Sequence, residues 1–388
     1  MLPFELRNPT KIFFGKGQIR HLPAQIPANA RVLMVYGGGS IHHNGVYADV
    51  TEALKGINWQ PFGGVTANPE YAVLMKALDL IRRERIDYLL AVGGGSVIDG
   101  VKFLAAAACY AGEEPWDILR KNIRTEVGQA LPFGTVLTLP ATGSEMNSGS
   151  VVSRAETGEK LSMGGPGLFP VFSILDPAVV HSIPQRQLAN GVTDAFTHVL
   201  EQYATYPVGA ALQDRIAESV MQTLIEVAPA VMENPADYPS AANFMWSCTM
   251  ALNGLLSRGV PGDWAIHLMG HELTARFQID HARTLAIILP GHYRYHLNAK
   301  QEKLAQYATR VWQVHTGTVA EKAEAAIEKT ETFFHSLGIP TRLSAYTADF
   351  EGTAEWVAET FTRRGWTGIG EHRSLTPEGV AEIIRGRY

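Results

Sequence analysis

Cysteine is nearly missing: Cys109 and Cys248 are the only two in 388 residues, so no disulfide framework holds this chain together. Both lie in apolar, helix-like surroundings, AAAACYAG and MWSCTMAL, and are expected as small core residues. Positive charge is not in excess either. The 33 Lys and Arg against 38 Asp and Glu give a formal net charge of -5, and the basic residues are scattered. Nothing forms a stripe that could neutralise successive phosphates, which excludes nucleic acid as a partner. No apolar run reaches the length that crosses a bilayer. The opening Met1-Leu-Pro-Phe-Glu-Leu-Arg lacks the features of a signal peptide, so the expectation is a cytoplasmic protein without membrane attachment. Internal repeats and low-complexity segments are also absent.

What is present is a globular mixture, 46% apolar and 18% charged, long enough for two domains of about 150–200 residues. The first half alternates strand-like runs (Arg31–Tyr36, Tyr88–Val92, Gly134–Leu139, Val171–Leu175) with helical patterns (Asn44–Lys55, Pro69–Glu84, Ser96–Tyr110). That alternation predicts a parallel, Rossmann-like sheet covered on both faces. Lys11–Gly15 reads as an edge strand able to pair between subunits. After Asp176-Pro177 the strand signals vanish and helices are expected over Gln185–Ala204, Val208–Met232, Ala241–Leu256, Asp263–Phe277, Lys300–Trp312 and Glu321–Leu337. Thr376-Pro377 should cap and open a last helix to about Arg385. The predicted fold is therefore an α/β domain over residues 1–180 and an all-helical domain over 181–388.

Two strands end in a glycine triplet plus serine, Gly37-Gly38-Gly39-Ser40 and Gly93-Gly94-Gly95-Ser96. Glycine permits positive φ and close approach of a phosphate, and the following helix start offers amide donors and a positive dipole end. Neither loop spells G-x-G-x-x-G, so a dinucleotide reading cannot rest on that motif; two tight turns would be the plain alternative. A third strand end, Thr138-Leu-Pro-Ala-Thr142-Gly-Ser144-Glu-Met-Asn147, adds hydroxyls and an amide. Polar groups at three strand ends favour one large ligand.

In the helical half, Asp194 and His198 are four apart and share a helix face, and His267 and His271 repeat that spacing on a second helix. His281 follows ten residues after His271. An aspartate and several imidazoles on neighbouring helices suit Zn²⁺, Fe²⁺ or a similar ion, although hydrogen-bonded core histidines would leave the same pattern. A zinc-protease motif is excluded, because Leu268 stands where that motif needs glutamate.

These residues resemble the iron-containing, or group III, alcohol dehydrogenases, and within them the NADPH-dependent butanol dehydrogenase and broad-range aldehyde reductase branch. The resemblance runs nearly end to end through AVGGGSVIDGVKF, TLPATGSEMNSG, ANGVTDAFTHVLEQY, GVPGDWAIHLMGHELTARFQIDHARTLAIILP and LTPEGVAEII. It implies a dehydroquinate synthase-like fold with Asp194, His198, His267 and His281 as metal ligands, and His271 beside the nicotinamide. It also implies that Gly94, Gly95, Ser96 and Asp99 hold the pyrophosphate. Thr138, Leu139, Thr142, Ser144 and Asn147 would line the nicotinamide side, with Lys160 reaching the cofactor and Asn68 counted among the binding positions.

Gly37, Gly38, Gly39 and Ser40 bear on cofactor choice, because relatives preferring NAD tend to place an aspartate near this turn for the ribose hydroxyls. Its absence favours NADP(H), although His42 and His43 stand where similar enzymes often carry lysines. The expected activity is interconversion of primary alcohols and aldehydes by a homodimer, with His271 as the catalytic candidate for proton exchange. Met146, Cys248, Leu252 and Trp264 are guesses for an apolar substrate pocket. The rival readings are a lyase or cyclase of the dehydroquinate synthase type, which would need basic residues for an anionic substrate, and a non-catalytic metal- or nucleotide-binding protein.

Overall fold

The aliphatic run Arg31–Tyr36 forms a strand over those same residues, and the apolar segments at Tyr88–Gly94, Phe133–Leu139 and Phe172–Leu175 form three more in the computed structural model, which describes Met1 to Tyr388. In chain order the strands are β1 (Lys11–Phe14), β2 (Arg31–Tyr36), β3 (Asn58–Phe62), β4 (Tyr88–Gly94), β5 (Phe133–Leu139), β6 (Gly149–Arg154), β7 (Glu159–Gly164) and β8 (Phe172–Leu175). Six of them make one parallel sheet in the order β1-β8-β5-β4-β2-β3. The central strands read as continuous apolar runs because they are buried from end to end. β6 and β7 form a separate antiparallel hairpin.

The order in which strands are added reverses at β2, since β3 lies on one side of it and β4 on the other. Loops leaving β2 and β4 therefore start from neighbouring strand ends, where Val35 pairs with Ala91 and Tyr36 with Val92. β5 lies next to β4, so all three segments singled out in the sequence leave the same edge of the sheet, the position where open α/β sheets bind ligands.

The chain divides into two compact units, one of residues 7–184 and 233–253, the other of residues 1–6, 185–232 and 254–388. Two segments depart from the expected division. The helix Tyr238–Ala251, expected in the helical half, belongs to the sheet unit, and there Thr249 Oγ1 hydrogen-bonds to Glu145 Oε1. Met1–Leu6 joins the helical unit, with Leu2 N donating to Gly259 O at 2.9 Å.

In the helical unit, Gln185–Tyr203 is buried at every position from Leu188 onward, which makes it the central helix. A helix His281–Tyr295 packs against it and against the helix Ala265–Phe277. Pro290-Gly291 masks that helix in the sequence, as does Pro61 in β3. The last helix, Pro377–Arg385, begins as expected, with Thr376 Oγ1 accepting from Gly379 N. Cys248 is buried but Cys109 is exposed at the end of its helix, which corrects the expectation that both are core residues.

Gly134 in β5 has no side chain because the Phe172 ring of β8 fills the space, and a Cβ there would lie 2.2 Å from Phe172 Cζ. Gly134→Ala should therefore cost about 1–3 kcal/mol by overpacking, read as a lowered Tm; an unchanged Tm would show that the ring yields freely.

Candidate cofactor and metal sites

The glycines after β4 are required by close approach. A Cβ on Gly95 would sit 2.3 Å from Thr142 Oγ1, so only glycine lets the helix Gly95–Cys109 begin against the loop that follows β5. After β2, Gly39 has φ +102, a region that L side chains rarely occupy, and space lies open round Gly38. Ser40 and His42 are exposed. The His42 ring packs on Tyr47 at 4.1 Å and edge-on to Tyr36 at 5.4 Å.

Three expected cofactor positions distant in sequence meet in one chain of hydrogen bonds. Asn68, in a left-handed conformation with φ 54, donates its backbone N–H to Ser96 Oγ at 3.2 Å, and Lys160 Nζ on β7 donates to Asn68 Oδ1 at 2.9 Å. Thr142 Oγ1 accepts from Ser144 N at 3.2 Å. Thr138 is buried and Leu139 closes β5 beside Gly94.

Asp99, Ser144 and Asn147 are engaged inside the protein. Asp99 accepts from Ser144 Oγ at 2.5 Å and from Val151 N at 2.9 Å. Asn147 Nδ2 donates to Gly143 O and Leu252 O at 3.0 and 3.1 Å. A residue with no role in the sequence reading, Lys102, ties them together: its buried ammonium donates to Ser144 Oγ, Asn147 Oδ1 and Gly149 O at 2.7, 2.9 and 2.7 Å. Burial pushes the Lys102 ammonium down to about 8, against the pull of Asp99 and Glu145. Burial likewise raises both of those carboxyls, with Lys102 opposing it.

In the helical unit, Asp194, His267 and His281 bring ligand atoms to within 4.8 Å of one another. His281 Nε2 lies 3.9 Å from Asp194 Oδ1, as does His198 Nδ1. His198 stands outside that trio, its ring stacked on His267 at 4.6 Å between centroids. Asp194 is 4% exposed, and its Oδ1 has no hydrogen-bond partner. A buried carboxylate oxygen in that state favours positive charge close to it. One carboxylate and three imidazoles form a donor set that suits a divalent metal.

One residue near this cluster escaped the sequence reading, and a second, Trp264, was named only as a guess for the substrate pocket. Glu201 is completely buried; it binds His267 Nδ1 and accepts from Ile266 N through its other oxygen at 2.8 Å. Burial, with the Asp263 carboxylate nearby, pushes the Glu201 carboxyl up to about 8. Its signal was spacing, since Asp194, His198 and Glu201 fall four and three apart on one helix. Trp264 precedes the helix of His267 with φ 63 and sets its ring 5.5 Å from His267 and 6.4 Å from His198. A left-handed tryptophan costs of order 1–3 kcal/mol, a feature that no sequence pattern announces. His271 lies one turn beyond His267, its ring 5.0 Å from that of His281. Of the guessed pocket residues, Cys248 is completely buried.

Comparison with known proteins places the chain in a family. Over 374 residues, 96% of each chain, the sequence is 49% identical to the NADPH-dependent aldehyde reductase YqhD of Escherichia coli. It is 39% identical to the NADH-dependent butanol dehydrogenase A of Clostridium acetobutylicum, with both chains covered completely. The crystal structure of E. coli YqhD superposes with a TM-score of 0.97 at 47% identity, covering 100% of this chain and 99% of that one. The NADH-dependent butanol dehydrogenase A of Thermotoga maritima superposes with a TM-score of 0.94 at 33% identity, with the same coverage. Residues 9–177 match the iron-containing alcohol dehydrogenase family and residues 188–388 the C-terminal part of the Fe-containing alcohol dehydrogenase family; the chain belongs to the iron-containing alcohol dehydrogenases.

Proposed function

We propose that this chain is an NADP(H)-linked, metal-dependent oxidoreductase that reduces a broad range of aldehydes to primary alcohols, with one divalent ion, Zn²⁺ or Fe²⁺, held by Asp194, His198, His267 and His281. The observation that carries this reading is the convergence of Asp194, His267 and His281 round an aspartate oxygen with no hydrogen-bond donor. Among the relatives, one is described as NADPH-dependent and others as NADH-dependent. The choice of NADP(H) is therefore supported by the turn itself: Gly38, Gly39 and Ser40 place no carboxylate against a 2′-phosphate.

When bound, the metal supplies a Lewis acid for the substrate oxygen and the dinucleotide supplies hydride. The residues of the chain do the rest. Gly94, Gly95 and Ser96 offer a helix start and close backbone approach to the pyrophosphate, and Asn68, Thr142 and Lys160 are placed to bind polar groups of the same ligand. Glu201 fixes the orientation of His267 by holding Nδ1, so that Nε2 is the atom offered for coordination. His271 stands one turn past a ligand, where an imidazole can pass a proton to the alkoxide oxygen and recover it from solvent. A homodimer is in keeping with β1, which forms one edge of the sheet and pairs only with β8.

The direct test is metal analysis of the purified protein beside NADPH and NADH oxidation over short, branched and aromatic aldehydes; NADPH-linked turnover that tracks metal content is expected, and full turnover without metal would overturn the reading. His267→Ala should lose both metal and activity, turnover falling more than about a hundredfold. Glu201→Gln keeps the shape but turns one of the two oxygens that serve His267 Nδ1 and Ile266 N into an amide nitrogen, and should weaken metal affinity by about 10–100-fold, measured by competition with a chelator. His271→Ala should retain metal while turnover falls by about a hundredfold; equal rates across pH would remove His271 from proton exchange.

A further inference from the structure

Lys102 is 0% exposed, so it cannot touch any ligand, yet the structure engages it more fully than any other lysine in the sheet unit. An ammonium group has three donors. Here all three are used, on Ser144 Oγ, Asn147 Oδ1 and Gly149 O, at 2.7–2.9 Å. The acceptors belong to the segment after β5, while Lys102 itself rides on the helix that begins at Gly95. Asp99, one turn earlier on that helix, binds the same segment through Ser144 Oγ and Val151 N. The buried positive charge is matched by Asp99 and by Glu145, which is 1% exposed. A charge so deep in the protein is costly unless well partnered, and here its partners are side chains that the family resemblance assigned to the cofactor.

We infer that Lys102 is a positioning residue for the dinucleotide: it clamps the segment 142–149 to the helix Gly95–Cys109, so that the two offer their backbone to one ligand in fixed register. This rests on the reading above that the dinucleotide lies over both segments. Ser144, Asn147 and Asp99 then act mainly by holding the loop, because their polar atoms are committed to protein partners. Affinity follows because a loop held in its binding geometry needs no ordering when the ligand arrives.

Lys102→Met removes the three hydrogen bonds at similar length. In the metal-loaded protein the NADPH Kd, read by nucleotide fluorescence, should rise about tenfold or more. Amide exchange across 142–149 in the nucleotide-free protein should quicken, and metal content should stay unchanged. A folded Lys102→Met protein with native NADPH affinity and native exchange would overturn the proposal. Should that variant fail to fold, Ser144→Ala takes out one acceptor and carries the test. Weaker NADPH binding together with faster exchange supports the clamp, whereas weaker binding with unchanged exchange means that Ser144 touches the cofactor directly, and the clamp is lost. If the native protein binds neither NADPH nor NADH, the functional reading fails on its own account, and exchange in the nucleotide-free variants still decides whether Lys102 orders the loop.

Discussion

A charged group taken out of water must meet an opposite charge or a full set of hydrogen bonds, and both units of this protein are arranged round that demand. In the sheet unit Lys102 meets it with three hydrogen bonds and the attraction of Asp99 and Glu145. In the helical unit Lys300 meets Asp263 and Glu371 at 3.0 and 2.5 Å, which steadies the turn leading into the helix of His267. At Asp194 Oδ1 no hydrogen-bond donor meets it, and the His198 and His281 rings stand 3.9 Å away.

The strand ends give the second half of the logic. Parallel strands deliver their loops to one edge, and the reversal of strand order at β2 makes the loops of β2 and β4 diverge from adjacent starting points. Glycine at position 95 then lets the third loop press against the helix start. Sheet order, glycine placement and the hydrogen bonds of Lys102 thus converge on the same few residues.

Much of this was legible in the sequence, for identifiable reasons. Continuous aliphatic runs marked β2, β4, β5 and β8 because strands buried on both faces need no alternation. Spacing of four marked Asp194 with His198 and His267 with His271. What escaped depends on contacts between segments far apart in the chain. β3 carries Pro61, tolerated because this strand lies at an edge of the sheet. The helix His281–Tyr295 tolerates Pro290 because tertiary packing buries it on several sides. The hairpin β6–β7 is polar and short, and the tie between Lys160 and Asn68 spans 92 residues. Lys102 reads in sequence as a routine lysine of an apolar helix; only its complete burial shows that it is part of the framework.

All four expected metal ligands lie in the helical unit, together with His271, whereas the glycine loops and the hydrogen bonds of Lys102 lie in the sheet unit. A substitution at any of those four residues therefore removes none of the hydrogen bonds that Lys102 and Asp99 make, and the two sets of side chains can be altered one at a time.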